Sequence, residues 1–160
     1  MERHVPSRAG RPPGRGRGAP LLGAFLVGLV ALAVYAPAIR GEFVLYDDYQ
    51  YIVDNPFVRQ GMTIESVRAA VSRFHLGTWQ PAVWLSFMLD AELFGLDAHG
   101  FHLVNVLLHA ANTVLLFALL RLLTGALLPA VLTALLFSLH PLRVESVAWV
   151  SQRKDLLAAF

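Results

Sequence analysis

The chain has 160 residues, of which 56% are hydrophobic and only 15% charged, with a formal net charge of +2. Soluble globular chains carry roughly 25% charged residues, so the composition excludes an ordinary water-soluble domain and points to a membrane protein. The basic excess sits at one end, where Arg3, Arg8, Arg11, Arg15 and Arg17 alternate with Gly and Pro and no aromatic to stack a base, which argues against a nucleic-acid partner. Cysteine is absent, excluding disulfides, thiolate metal sites and cysteine nucleophiles.

Residues 1–20 read as a disordered, cytoplasmic Arg/Gly/Pro-rich tail, because Pro and Gly break helices and the arginines repel one another. Leu21 to Ile39 carries no charge. At 1.5 Å per residue it reaches roughly 28 Å as a helix, close to the hydrocarbon thickness, and it is the first predicted span, about 21–39. The same stretch can also be read as a cleaved signal peptide ending near Ala36-Pro37-Ala38. Under either reading the positive-inside bias keeps the arginines in the cytoplasm and exports the chain from Arg40 onward.

Residues 40–100 form a predicted outer loop. Ile64, Val67, Val71 and Phe74 recur at helical spacing, so 63–75 is predicted to be an amphipathic helix lying on the bilayer surface. Pro81 opens a second helix, containing Trp84, Phe87 and Met88, that stops near Gly95 and is too short to span; Trp79 and Trp84 suit the headgroup boundary. The second span is placed at about 101–120, with a cytoplasmic turn from Arg121 to Gly125, and the third at about 126–140. A polar stretch from Arg143 to Asp155 returns to the outside, and a fourth span starts at 156 and breaks off, which reads as a truncated chain.

Three groups of residues can carry chemistry. His102, Asn105, His109 and Asn112 fall within about 80° of one face of the second span. Such a stripe either hydrogen-bonds neighbouring helices or lines a substrate or proton path. Asp47 and Asp48, flanked by Tyr46 and Tyr49, lie just outside the first span. One carboxylate can take a proton from a reacting hydroxyl while the other holds a ligand, a cation or a backbone amide; a solvated acidic turn is the plainer reading. His140 and Glu145, with Arg143, Arg153, Lys154 and Asp155, lie at the outer mouth of the third and fourth spans. Cations there can hold a lipid phosphate or form interfacial salt bridges.

Four co-linear blocks add a resemblance: Gly41-Glu42-Phe43-Val44-Leu45-Tyr46-Asp47-Asp48; Trp79-Gln80-Pro81 running into Leu85-Ser86-Phe87-Met88-Leu89-Asp90; Phe101-His102-Leu103-Val104-Asn105-Val106-Leu107-Leu108-His109; and His140-Pro141-Leu142-Arg143-Val144-Glu145-Ser146-Val147-Ala148-Trp149 onward to Arg153-Lys154-Asp155. Together they resemble the transmembrane and tetratricopeptide-repeat proteins, which include O-mannosyltransferases and many bacterial relatives, over nearly all of residues 20–160. The resemblance implies an all-α polytopic membrane protein, with 21–160 as the amino-terminal part of a GT-C type glycosyltransferase of the bacterial inner membrane and its active site on the extracytoplasmic side. It implies a polyprenyl-phosphate-linked sugar donor held among membrane lipid, and a protein or glycan acceptor, with protein Ser/Thr hydroxyls as one class. The catalytic acidic pair falls on Asp47 and Asp48, the donor phosphate on Arg153 and Lys154, and supporting roles on His140, Glu145, His102, Asn105 and His109. No cofactor is identified; a divalent cation is compatible with the acidic pair. Arg143 stands where members commonly have His, and Trp79-Gln80 where they have other residues before the proline, so acceptor or lipid contacts are expected to differ. Because such enzymes have many more spans, the segment by itself is expected to be inactive. The competing expectations are a non-catalytic membrane anchor of a repeat-containing scaffold and a piece of a transporter.

Overall fold

A computed structural model describes residues 18–160; the arginine-rich residues 1–17, most of the predicted tail, lie outside the described residues. The chain folds as α1 (Gly18–Tyr35), α2 (Pro56–Arg59), α3 (Ile64–Ser72), α4 (Pro81–Phe94), α5 (Ala98–Thr124), α6 (Leu127–Leu139), α7 (Leu142–Ala148) and α8 (Arg153–Ala159). Tight 3-10 turns at Ala36–Arg40 and Val150–Gln152 and a wider turn at Tyr49–Val53 complete it. Among the described residues there is no β-strand, and the architecture is that of an all-α membrane protein.

Two helical stretches are long and apolar enough to cross a membrane: Gly18–Arg40, with 23 residues, and Ala98–Thr124, with 27. A third crossing is available if α6 and α7, bent by 65° where they meet, act as one broken span. The bend has a local cause. Pro141 disfavours helical geometry in the residue before it, and His140 is extended (φ −64°, ψ 132°), so α6 stops after 13 residues, roughly 20 Å of helix.

Large apolar side chains cover the outside of this bundle, and small residues beside a single phenylalanine fill the contact between its helices. Leu21, Leu22, Phe25, Leu119, Leu122, Leu132 and Leu136 are exposed, as a lipid-facing surface requires, while Val27, Phe117, Ala130 and Ala134 form the core shared by α1, α5 and α6. Gly23 and Gly28 let α1 approach α5: a Cβ on Gly23 would stand 2.9 Å from the Phe117 ring, and one on Gly28 would stand 3.0 Å from the Val114 side chain. Gly23→Val is therefore expected to overpack this contact and cost about 1–3 kcal/mol, seen as a lower melting temperature in detergent.

The residues between α1 and α5 pack as a cap on the bundle. Asn55 caps α2 by accepting from the Phe57 N–H at 3.1 Å, and Thr63 caps α3 by accepting from the Ser66 N–H at 3.1 Å. Their core is Ile52, Val58, Ala70, Val83, Trp84, Phe87 and Met88, closed by Phe101 from α5 and Val150 from the turn before α8. Two expectations change here. The helix predicted over 63–75 stops at Ser72, because His75 and Thr78 pair in a tight hairpin that takes the chain out of the helix. α3 buries its small residues Ser66, Ala69 and Ala70 and turns Ile64 and Val71 outward. Trp84 is buried, stacked on Tyr51 with ring centroids 5.2 Å apart, and does not reach a headgroup boundary; Trp79 remains exposed.

Candidate functional site

The extended segment 41–44 leads from the carboxyl-terminal end of the first candidate span to the acidic pair, and the two carboxylates do different work. Asp48 is fully buried. One of its oxygens accepts from the Val44 N–H at 3.0 Å; the other accepts from the Ser151 N–H at 2.9 Å and from the Ser151 hydroxyl. Three donors thus lock Asp48 to its own loop and to the turn before α8, 103 residues away. Asp47 is half-buried, and among the described residues no side-chain hydrogen bond engages it. The pair therefore presents one fixed anchor and one available carboxylate.

The stripe on α5 is buried along its whole length, and every member reaches another element. The His102 Nε2 lies 3.4 Å from the Glu42 carbonyl and tucks against Gly41, where a Cβ would come within 2.9 Å of that nitrogen, so His102 and Gly41 together set the path of the segment leading to Asp47. Asn105 donates to the carbonyls of Val147 and Trp149, each at 3.3 Å. The His109 Nε2 lies 3.1 Å from the Ser138 carbonyl, which also accepts from the Tyr35 hydroxyl at 3.1 Å, and Asn112 donates to the Leu156 carbonyl at 2.8 Å. These contacts join α5 to α1, α6, α7 and α8.

Arg153 is the largest fully buried side chain. Its Nε donates to the Asn105 carbonyl oxygen at 2.7 Å, one terminal nitrogen donates to Ser86 at 2.9 Å and pairs with Asp90, and the other donates to the Phe101 backbone carbonyl at 2.8 Å. The guanidinium also lies 4.7 Å from the centre of the Phe87 ring. An arginine so engaged fastens α4, α5 and α8 together and is not the open phosphate fork that its sequence position implied. Burial pushes the Asp90 carboxyl up to about 6, with the Arg153 charge pulling the other way. Lys154, next in sequence, is exposed.

Asp48, Asn105 and Arg153 thus meet on the segment 147–153, Asp48 through Ser151 and Asn105 through the carbonyls of 147 and 149 and the Arg153 guanidinium, while His102 bears on the stretch of chain before Asp47 through Glu42. His109 belongs to a second cluster, deeper in the bundle with Tyr35 and Ser138. His140 and Glu145 are exposed and stand apart from both; the His140 Nδ1 accepts from the Leu142 N–H at 3.3 Å, and Arg143 beside them stacks on Phe137 at 4.3 Å. Among the described residues no three His, Asp or Glu side chains converge as a metal site. Sequence reasoning did not single out Ser151, Ser86 or Asp90 for their partners, although Asp90, one of two acids in a mostly apolar helix, was a visible signal.

No family model and no solved structure matches the chain. Relatives are nonetheless clear. The chain is 37% identical over 144 residues to the mouse protein O-mannosyl-transferase TMTC1, covering 84% of this chain and 15% of the mouse protein. It is 35% identical over 161 residues to human TMTC1, covering 92% of this chain and 18% of the human one. It is 31% identical over 162 residues to the human protein O-mannosyl-transferase TMTC4, covering 88% and 22%. The chain thus spans less than a quarter of the length of these curated relatives. Over 84 to 92% of its own length it is related in sequence to proteins named protein O-mannosyl-transferases.

Proposed function

We propose that this chain is the donor-side part of a membrane glycosyltransferase that passes a sugar from a polyprenyl-phosphate carrier to a protein hydroxyl on the extracytoplasmic side. The observation that carries the reading is the division of labour in the acidic pair: Asp48 is locked by three donors, and Asp47 beside it has no side-chain hydrogen bond among the described residues, a few residues past the end of a candidate span. The names of the relatives support a sugar donor and a protein acceptor. In this scheme the acceptor hydroxyl attacks the anomeric carbon, Asp47 takes its proton, and the bond from that carbon to the phosphate oxygen breaks, leaving the polyprenyl phosphate. Lys154 is the exposed cation of the predicted donor pair and faces the departing phosphate, while Arg153 acts as a positioning residue that holds the turn carrying Ser151 and, through it, Asp48.

The test uses the intact protein in proteoliposomes with polyprenyl-phosphate mannose and a Ser/Thr-containing peptide. Mannosylated peptide and free polyprenyl phosphate should appear in equal amounts. Absence of both, with the protein folded and correctly inserted, would sink the proposal.

A further inference from the structure

Between α3 and α4 the chain makes a two-residue hairpin. His75 and Thr78 exchange both backbone bonds, at 3.0 and 2.9 Å, with Leu76 (φ 49°) and Gly77 (φ 75°) at the tip. Glycine suits such a turn; leucine does not, because its Cβ crowds the backbone in the left-handed region and Asn, Asp or Gly is the usual choice. Among the described residues Leu76 is the only non-glycine with positive φ. Packing does not compensate it, since its side chain is 50% exposed. A local rule is broken here without a gain in the fold, which is where function is worth seeking.

The neighbours of Leu76 share its exposure. Phe74 is 75% exposed and Trp79 54%. The Trp79 indole N–H already donates to the Val71 carbonyl at 2.9 Å, so the ring's outer part carries no polar group that needs water. The base of the hairpin is fixed: the His75 Nε2 lies 3.2 Å from the Gln50 carbonyl, and its ring stands edge-on to Trp84 at 5.1 Å. Gln50 belongs to the Tyr49–Val53 turn, which begins nine residues beyond Arg40, the last residue of the first candidate span. The hairpin is thereby tethered to the side of the molecule where that span emerges. Arg68 and Arg73, on the α3 side of the hairpin, are cations suited to lipid phosphate.

We propose that the 74–79 hairpin is a membrane wedge, with Phe74, Leu76 and Trp79 entering the boundary between headgroups and acyl chains of the leaflet from which the first span emerges. The wedge would hold the cap, and with it Asp47, at a fixed height above the bilayer. It rests on the membrane crossing of Gly18–Arg40 and not on the proposed transfer reaction, so either can fail without the other.

The chain lacks cysteine, so single cysteines report without background. Leu76→Cys and, as a control, Asp54→Cys are labelled with bimane in phosphatidylcholine–phosphatidylglycerol vesicles and quenched either by spin-labelled lipid or by aqueous iodide. The expected result is a ratio of lipid to iodide quenching at least twofold higher at position 76 than at 54. An equal or lower ratio, or shielding of position 76 from both quenchers, would overturn the wedge, the latter in favour of a protein partner. A second experiment guards against misfolding. Leu76→Asn suits the left-handed turn, so it should keep or raise the melting temperature in detergent while reducing lipid quenching of a label at Phe74→Cys at least twofold. A lower melting temperature, or unchanged quenching, would assign Leu76 to the fold instead.

Discussion

Asp47→Asn in the intact protein is expected to lower the rate of the proposed sugar transfer by about 10²–10⁴-fold, the usual range for loss of a general base, with no change in insertion or melting temperature. The two halves of this expectation come from the same geometry. Asp47 makes no side-chain hydrogen bond among the described residues, so replacing a carboxylate oxygen by an amide leaves no internal partner stranded. The loss should appear in kcat more than in KM, because proton removal belongs to the transition state. Asp48→Asn should behave otherwise. An asparagine has one accepting oxygen where Asp48 uses two against the Val44 N–H, the Ser151 N–H and the Ser151 hydroxyl. This variant should lose stability and activity together, since the loop and the turn before α8 come apart. Wild-type turnover by folded Asp47→Asn protein would remove Asp47 from the chemistry and favour the scaffold-anchor reading, in which the pair is dispensable.

The parts of the structure that obey local rules were legible in the sequence. Uncharged runs marked the two long helices, Pro81 and Gly95 bounded α4, and the spacing of His102, Asn105, His109 and Asn112 put them on one face, which the structure buries. What the sequence hid were pairings between distant elements. Asp90 and Arg153 are separated by 63 positions and Asp48 and Ser151 by 103, and no periodicity connects such residues. Arg153 next to Lys154 looks like a basic site, yet adjacent residues on a helix point about 100° apart, so one entered the core while the other stayed outside. The end of α3 was misplaced for a similar reason. Val71 and Phe74 fit the helical period, but the backbone bonds of the hairpin at 75–78 decide where the helix stops.

The buried pair gives the second large effect. Arg153→Met is expected to cost about 3–5 kcal/mol at pH 7, because breaking a buried ion pair strands its partner, and because Asn105, Ser86 and the Phe101 carbonyl lose the donors that join α4, α5 and α8. The substitution also shifts a proton equilibrium. In the wild-type protein burial already holds the Asp90 carboxyl at about 6, with the Arg153 charge opposing the rise. Removing that charge must raise the value further. A carboxyl whose folded pKa exceeds its unfolded one keeps a proton that the unfolded chain gives up, so its contribution to stability is lost as pH rises through the folded value. For the wild-type protein that loss is largely complete below pH 7. For Arg153→Met it should continue through neutrality, with a slope of up to about 1.4 kcal/mol per pH unit. Adding Asp90→Asn supplies a neutral side chain of the same shape that cannot titrate. The double variant should match Arg153→Met only below about pH 4, where the unfolded carboxyl is also protonated, exceed it by a widening margin up to about pH 8, and show no slope from this site between them. Melting temperatures of the three proteins across that range check the sign directly. Parallel pH profiles for the single and double variants would mean that Asp90 does not carry the proton, and that Arg153 holds the junction by packing and hydrogen bonds alone.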